Sequence, residues 1–178
     1  MIPASLINQV SPGVRAALEF ALSNIGVCED PPGSNRGPEI DAWCTEFGSP
    51  LGSYWCAIAV GKARKAGGLW IPSRDVGSCD EWVYQAQRAG LESATPHPGS
   101  VVVYTNGKRI DGGRYAGQGD AVHVGLVLRV APVVMAIEGN TTLGRYDPNG
   151  YVQALKEVDR GRVMCYVAPE AQGSGSIP

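Results

Sequence analysis

The 178-residue chain lacks several features that would place it in a common class. No apolar run approaches the ~20 residues of a membrane span, so none is predicted. The 15 basic and 17 acidic residues nearly balance and are scattered, which indicates neither a nucleic-acid footprint nor a basic membrane-binding patch. Residues 1–10 have neither a basic n-region nor an apolar h-region, so we expect no secretory signal there.

Cysteine is scarce, with five residues and no Cys-x-x-Cys pair. This pattern argues against a closed disulfide framework and against a thiolate zinc site. For four of the cysteines we expect the ordinary role of small buried hydrophobic side chains: Cys28, Cys44, Cys79 and Cys165. Only two histidines are present. His97 lies in a Pro-His-Pro-Gly turn and is expected to be exposed and inert, whereas His123 lies in a valine-rich segment.

The order of the local patterns predicts an α+β fold. Four helical segments come first: one from Ser11-Pro12 to a stop at Gly26, then residues 38–47, 55–66 and 78–89. Valine-rich strands follow: residues 100–104, 123–130 and 133–138, a segment within 151–158, and residues 163–167. Such an order indicates helices packed on an antiparallel sheet. We predict one domain over residues 11–168, with residues 1–10 as an arm and residues 169–178 as a Gly/Ser-rich tail.

Cys56 lies where a reactive thiol is expected. It follows a turn of small residues, Ser-Pro-Leu-Gly-Ser at 49–53, and begins an apolar helical run. In the first turn of a helix, free backbone N–H groups and the positive end of the helix dipole both stabilise a thiolate. The pKa of such a cysteine falls by about one unit or more from its usual ~8.5.

Two further polar side chains belong to neighbouring predicted strands. Alternation places His123 on the same face as Gly125, and Val122 with Val124 on the other, apolar face; the glycine leaves room for another backbone or a ligand to approach. Glu138 ends the next strand, where it is either a solvated strand end or the acceptor that fixes the imidazole tautomer. Asn140 would point to the same side and serve the same role or bind substrate.

Five segments in this order resemble the CHAP family (cysteine, histidine-dependent amidohydrolase/peptidase), and its phage lysin branch in particular: Asn35-Arg36-Gly37-Pro38, Tyr54-Trp55-Cys56-Ala57, Pro98-Gly99-Ser100-Val101-Val102, His123-Val124-Gly125 and Ile137-Glu138-Gly139-Asn140-Thr141. The resemblance implies a papain-like fold of the NlpC/P60 superfamily. It also implies hydrolysis of an amide in bacterial peptidoglycan, either the N-acetylmuramoyl-L-alanine bond or a stem-peptide or cross-bridge bond. A departure is Ser100, where the family commonly has Asp after Pro-Gly.

The resemblance also implies roles for particular residues. Cys56 would be the nucleophile, His123 the base, Glu138 the orienting carboxylate and Asn140 a further polar site residue. The same segments make three residues candidates for substrate binding: Trp55, Asn35 and Arg36. In the related NlpC/P60 endopeptidases the third polar residue is usually a histidine, and no histidine follows position 123 here.

The resemblance implies peptidoglycan as the partner and no cofactor. Some relatives bind calcium near an N-terminal loop, and the oxygen-rich segment 29–41 keeps a structural calcium ion as an alternative, although it lacks the Asp-x-Asp-x-Asn-Gly spacing. A phage lysin would lie in the host cytoplasm before release to the cell wall, or in the virion tail among other tail proteins. The alternative function is a tail component that retains the fold with weak or no activity.

Overall fold

The computed structural model describes residues 10–105, 121–142 and 152–169. Within these ranges the chain forms helices followed by an antiparallel sheet, which confirms the predicted α+β class. The helices are α1 (Pro12–Ser23), α2 (Pro38–Glu46), α3 (Cys56–Ala66) and α4 (Cys79–Arg88). The strands are β1 (Glu92–Ser93), β2 (Val101–Thr105), β3 (Ala121–Arg129), β4 (Met135–Thr141), β5 (Val152–Glu157) and β6 (Val163–Val167), with a short 3-10 helix at Arg160–Arg162.

The helix starts follow from local cap chemistry. The Ser11 hydroxyl accepts the Val14 N–H at 3.3 Å, and Pro12 occupies the first helical turn of α1. Ser78 caps α4 in the same way by accepting the Glu81 N–H. These signals use only neighbouring residues, so the predicted starts agree with the observed ones to within one residue.

The sheet has the strand order β1-β6-β2-β3-β4-β5 with antiparallel neighbours. One prediction about β3 is wrong, because Val122 does not lie with the buried valines of that strand but is 39% exposed. Tyr104 pairs with His123, whereas Thr105 pairs with Ala121, so Val122 is an extra residue in a bulge.

Helix α3 packs directly on the middle of the sheet, against β3 and β4. Gly139 of β4 allows this approach: a Cβ there would lie 2.7 Å from Cβ of Ala59 and 2.9 Å from the indole of Trp55. The first turn of α3, with Cys56, is therefore held against the part of the sheet that carries His123 and Glu138.

Some sequence predictions concern residues beyond these ranges. The predicted arm (1–10) and tail (169–178) lie outside the described residues, apart from Val10 and Pro169. Among the described helices, none is long and apolar enough to cross a membrane.

Candidate active site

Cys56 is the first residue of α3 and lines a cleft of about 390 Å³. Cys56 is 5% exposed. The first turn of the helix carries no acidic side chain that would weaken the stabilisation of a thiolate by the helix dipole. The pKa of the thiol lies well below its ordinary value. The causes are first a hydrogen bond between the Cys56 and Cys79 sulfurs, then the nearby imidazole of His123 and the Val124 N–H, which together outweigh burial.

Glu138 holds the imidazole of His123 from the other side. Nε2 of His123 lies 3.1 Å from Oε2 of Glu138. The second carboxylate oxygen of Glu138, Oε1, accepts the Tyr104 hydroxyl at 2.6 Å, and the Tyr104 ring stacks on the imidazole with centroids 5.7 Å apart. Because Nε2 is engaged by the carboxylate, Nδ1 is the ring nitrogen left for the thiol of Cys56.

The charges of the three groups support one another. Burial lowers the pKa of His123, but the interactions with the Cys56 sulfur and the Glu138 carboxylate together raise it by more. The resulting pKa is about 9. Burial raises the pKa of Glu138, but the hydrogen bond and charge of His123, the Tyr104 hydroxyl and the charge of Lys156 together lower it by more. The lowered pKa of the thiol and the raised pKa of the imidazole favour transfer of the thiol proton to His123.

Gly125 provides the space in which the Glu138 side chain lies. A Cβ at position 125 would be 2.8 Å from Cγ of Glu138. The sequence predicted that another backbone or a ligand approaches the face shared by His123 and Gly125. The structure instead places a side chain there, that of Glu138.

Asn140 faces the cleft but forms a different contact. Its Nδ2 donates to Oδ1 of Asn35 at 3.2 Å. Both asparagines have left-handed backbone angles, with φ of 50° at Asn140 and 54° at Asn35, a conformation that asparagine adopts more readily than most residues. The contact joins the end of β4 to the loop that precedes α2.

The CHAP domain family model matches residues 35–140, which is more than half of the chain. The chain belongs to the CHAP family. Among curated proteins, none matches it. Membership agrees with the papain-like α+β fold and implies a cysteine- and histidine-dependent hydrolase whose substrate is peptidoglycan.

One candidate for substrate binding in this CHAP domain disagrees with the structure. Trp55 is 0% exposed, and its indole N–H donates to Oε1 of Glu29 at 3.1 Å. A side chain buried in this way supports the start of α3 rather than contacting a ligand. Arg36 remains at the surface with 43% of its side chain exposed, where it forms a bidentate pair with Asp41 at 2.8 Å.

Two residues of the CHAP site were not predicted from the sequence. The sequence pattern places Tyr104 only within a strand. The signal for its role is its hydroxyl, a polar group that follows the three valines of β2. Cys79 was expected to be an inert buried side chain, yet it is partly exposed and lines the same cleft as Cys56. The signal for the role of Cys79 is the capping Ser78, because it places Cys79 at the start of a helix, the same position that Cys56 has in α3.

The other cysteines partly follow expectation. Cys44 and Cys165 are buried as predicted, but Cys28 is exposed, because it lies in the loop between α1 and α2 rather than in a helix or a core strand. His97 is exposed as predicted.

Segment 29–41, the alternative calcium site, provides few free carboxylate ligands in the part of the chain that the structure describes. No group of three or more His, Cys, Asp or Glu side chains there could hold a metal ion. Asp41 is paired with Arg36, and Oε1 of Glu29 accepts from Trp55. Oε2 of Glu29 is buried without a hydrogen-bond partner among the described residues, and a single oxygen falls far short of the 6–8 that calcium takes.

Proposed function

We propose that this chain is a phage-type cell-wall lysin that hydrolyses an amide bond of bacterial peptidoglycan with Cys56 as the nucleophile. The observation that carries the proposal is the chain of interactions from a helix-start thiol to a buried imidazole and on to a carboxylate. This arrangement supplies the activated nucleophile, the proton carrier and the orienting group that a cysteine hydrolase requires.

The geometry supports the following sequence of steps. The imidazole of His123 holds the proton of Cys56, and the thiolate attacks the carbonyl carbon of the scissile amide. Backbone N–H groups at the start of α3 stabilise the negative oxygen of the tetrahedral intermediate. The imidazolium then gives its proton to the leaving amine, which leaves a thioester on Cys56. Water, deprotonated by His123, hydrolyses the thioester to a carboxylic acid and restores the thiol.

The remaining polar groups support this chemistry. Glu138 fixes the imidazole so that Nδ1 faces the sulfur, and the Tyr104 hydroxyl holds the carboxylate in place. Asn140 lines the cleft and donates a hydrogen bond to Asn35, and both remain candidates for contact with substrate, as does Arg36. Tyr54 lines the same cleft, is 75% exposed and provides an aromatic surface.

The bond that is cut defines the class of lysin. An amidase would separate the muramoyl lactyl group from L-alanine, whereas an endopeptidase would cut the stem peptide or the cross-bridge. Mass spectrometry of fragments from purified peptidoglycan distinguishes the two, because an amidase leaves intact stem peptides with a free alanine amine. A phage lysin acts from the host cytoplasm at lysis or from the virion tail at entry, and the fractionation of infected cells and of purified virions separates these locations.

The test of the proposal is a turbidity assay on purified cell walls. Wild-type protein should clear the suspension, and both Cys56→Ala and Cys56→Ser should abolish clearing with nearly unchanged melting temperatures. The matched control is Cys28→Ala, which removes an exposed cysteine and should retain full activity. Clearing by Cys56→Ala would refute the mechanism. Failure of the folded wild-type protein on walls of several chemotypes would favour the alternative, a tail component without activity.

A further inference from the structure

A second thiol lies beside the nucleophile. Sγ of Cys79 is 3.7 Å from Sγ of Cys56, and both residues line the same cleft. They are 23 positions apart in the chain. The fold brings them together because each is the first residue of a helix, α3 for Cys56 and α4 for Cys79.

The separation of the sulfurs indicates how they interact. Bonded sulfurs in a disulfide lie ~2.05 Å apart. At 3.7 Å, Cys56 and Cys79 are two separate groups within hydrogen-bond distance for sulfur. A thiol is a weak donor and a thiolate a good acceptor, so the pair is most stable when one sulfur is ionised and the other keeps its proton.

The surroundings decide which sulfur is ionised. The imidazole of His123 and the backbone N–H of Val124 both stabilise a negative charge on Cys56. The pKa of Cys79 lies well above its ordinary value, first because of its hydrogen bond to Cys56, then because of burial and of the neighbouring Asp80. Cys79 therefore keeps its proton when Cys56 loses one.

We propose that the Cys79 thiol donates a hydrogen bond to the Cys56 sulfur and acts as a positioning residue that holds the nucleophile as a thiolate. The negative sulfur then has the imidazolium of His123 on one side and the S–H of Cys79 on the other. The inference rests on the proposed role of Cys56 as nucleophile, and it adds to that site a residue that works through Cys56 rather than on the substrate.

The other titratable groups near the pair come from four elements. His123 belongs to β3 and is backed by Glu138 of β4. Asp80 of α4 accepts the backbone N–H of Ala121 at 3.1 Å, which ties this carboxylate to β3. Tyr54, in the turn before α3, lines the same cleft. These groups are unchanged by a substitution at Cys79, so a shift on replacing Cys79 reports the thiol itself.

The test measures the rate at which iodoacetamide alkylates Cys56 as a function of pH, read by mass spectrometry of the peptide that contains it. In Cys79→Ala the acid limb of this profile should move up by about one pH unit, the lower end of what a hydrogen bond to a charged group contributes. Cys79→Ser keeps a donor and should restore the limb to near its wild-type position. The exposed Cys28 is the internal control, and its profile should be the same in every variant.

Several outcomes would overturn the proposal. An unchanged acid limb in Cys79→Ala would show that the second thiol does not stabilise the thiolate, and a serine that fails to restore the limb would show that only packing was lost. The wild-type protein provides a check that needs no variant, because Cys56 must react at lower pH than Cys79. The assay does not use cell walls, so a protein that alkylates as expected but fails to hydrolyse walls would refute the proposed function alone.

Discussion

Replacing Gly125 by alanine tests the role of Glu138 by displacing the carboxylate without removing it. The added Cβ would lie 2.8 Å from Cγ of Glu138 and 3.3 Å from side-chain atoms of Ala136 and Val102. Gly125 does not have a left-handed backbone, so alanine is opposed by these contacts and not by backbone strain.

The size of the effect follows from the distances. Ordinary contact begins near 3.4 Å, so Cγ of Glu138 must retreat by about 0.6 Å from the new methyl group. The hydrogen bond from Glu138 to Nε2 of His123 is 3.1 Å long, close to the ~3.2 Å limit for a good N–H···O bond, and a retreat of this size breaks it. Misplacement on this scale lowers a catalytic rate by about 10²-fold, and overpacking lowers the free energy of unfolding by about 1–3 kcal/mol.

A double-mutant cycle separates the two costs. Initial rates of wall clearing and unfolding free energies are measured for the wild type, Gly125→Ala, Glu138→Gln and the double variant. Glutamine keeps the Cγ atom, so the stability cost of alanine should be the same in both backgrounds. The rate cost should be about 10²-fold with Glu138 and under about 10-fold with glutamine, because the orienting charge is already gone. Equal rate losses in the two backgrounds would refute the reasoning, since alanine would then act by general distortion.

The remaining predictions concern the imidazole and the buried indole. His123→Ala should abolish wall clearing and His97→Ala should retain it, since only the first lies beside the thiol; an essential His97 would contradict the assignment. The alkaline limb of the pH–rate profile should lie near pH 9, where the His123 imidazolium loses its proton, and in Glu138→Gln it should move to lower pH because the carboxylate raises that pKa. Trp55→Phe should lower the unfolding free energy by about 1–3 kcal/mol in denaturant titrations, because the buried Glu29 loses its hydrogen-bond donor. A change in KM without a change in stability would instead show that Trp55 contacts substrate.

Features set by neighbouring residues could be predicted from the sequence. Capping serines fixed the starts of α1 and α4, and the small-residue turn before an apolar helical run identified Cys56 at the start of α3. Valine-rich segments placed His123 and Glu138 on strands that follow each other closely in the chain, and these strands pair in the sheet. These signals are local, so tertiary packing did not override them.

Features that depend on distant parts of the chain could not be predicted. The bulge at Val122 depends on the register of β2, and the burial of Trp55 depends on how closely Gly139 lets β4 approach α3. The contact between the thiols of Cys56 and Cys79 requires the starts of two separate helices to meet. None of these has a local pattern, which is why the indole was assigned to substrate binding and the second thiol to the core.

The choice of a carboxylate as the partner of His123 has a physical consequence. Glu138 is 5% exposed, and a carboxylate at that depth is stable as an anion only with donors and a positive charge beside it. The Tyr104 hydroxyl supplies a neutral donor at 2.6 Å, and the positive charge comes from His123. When the imidazolium loses its proton, Glu138 loses its nearest positive partner, so deprotonation of His123 is costly and its pKa rises to about 9. An amide would impose no such cost, and the amide of Asn140 instead donates to Asn35.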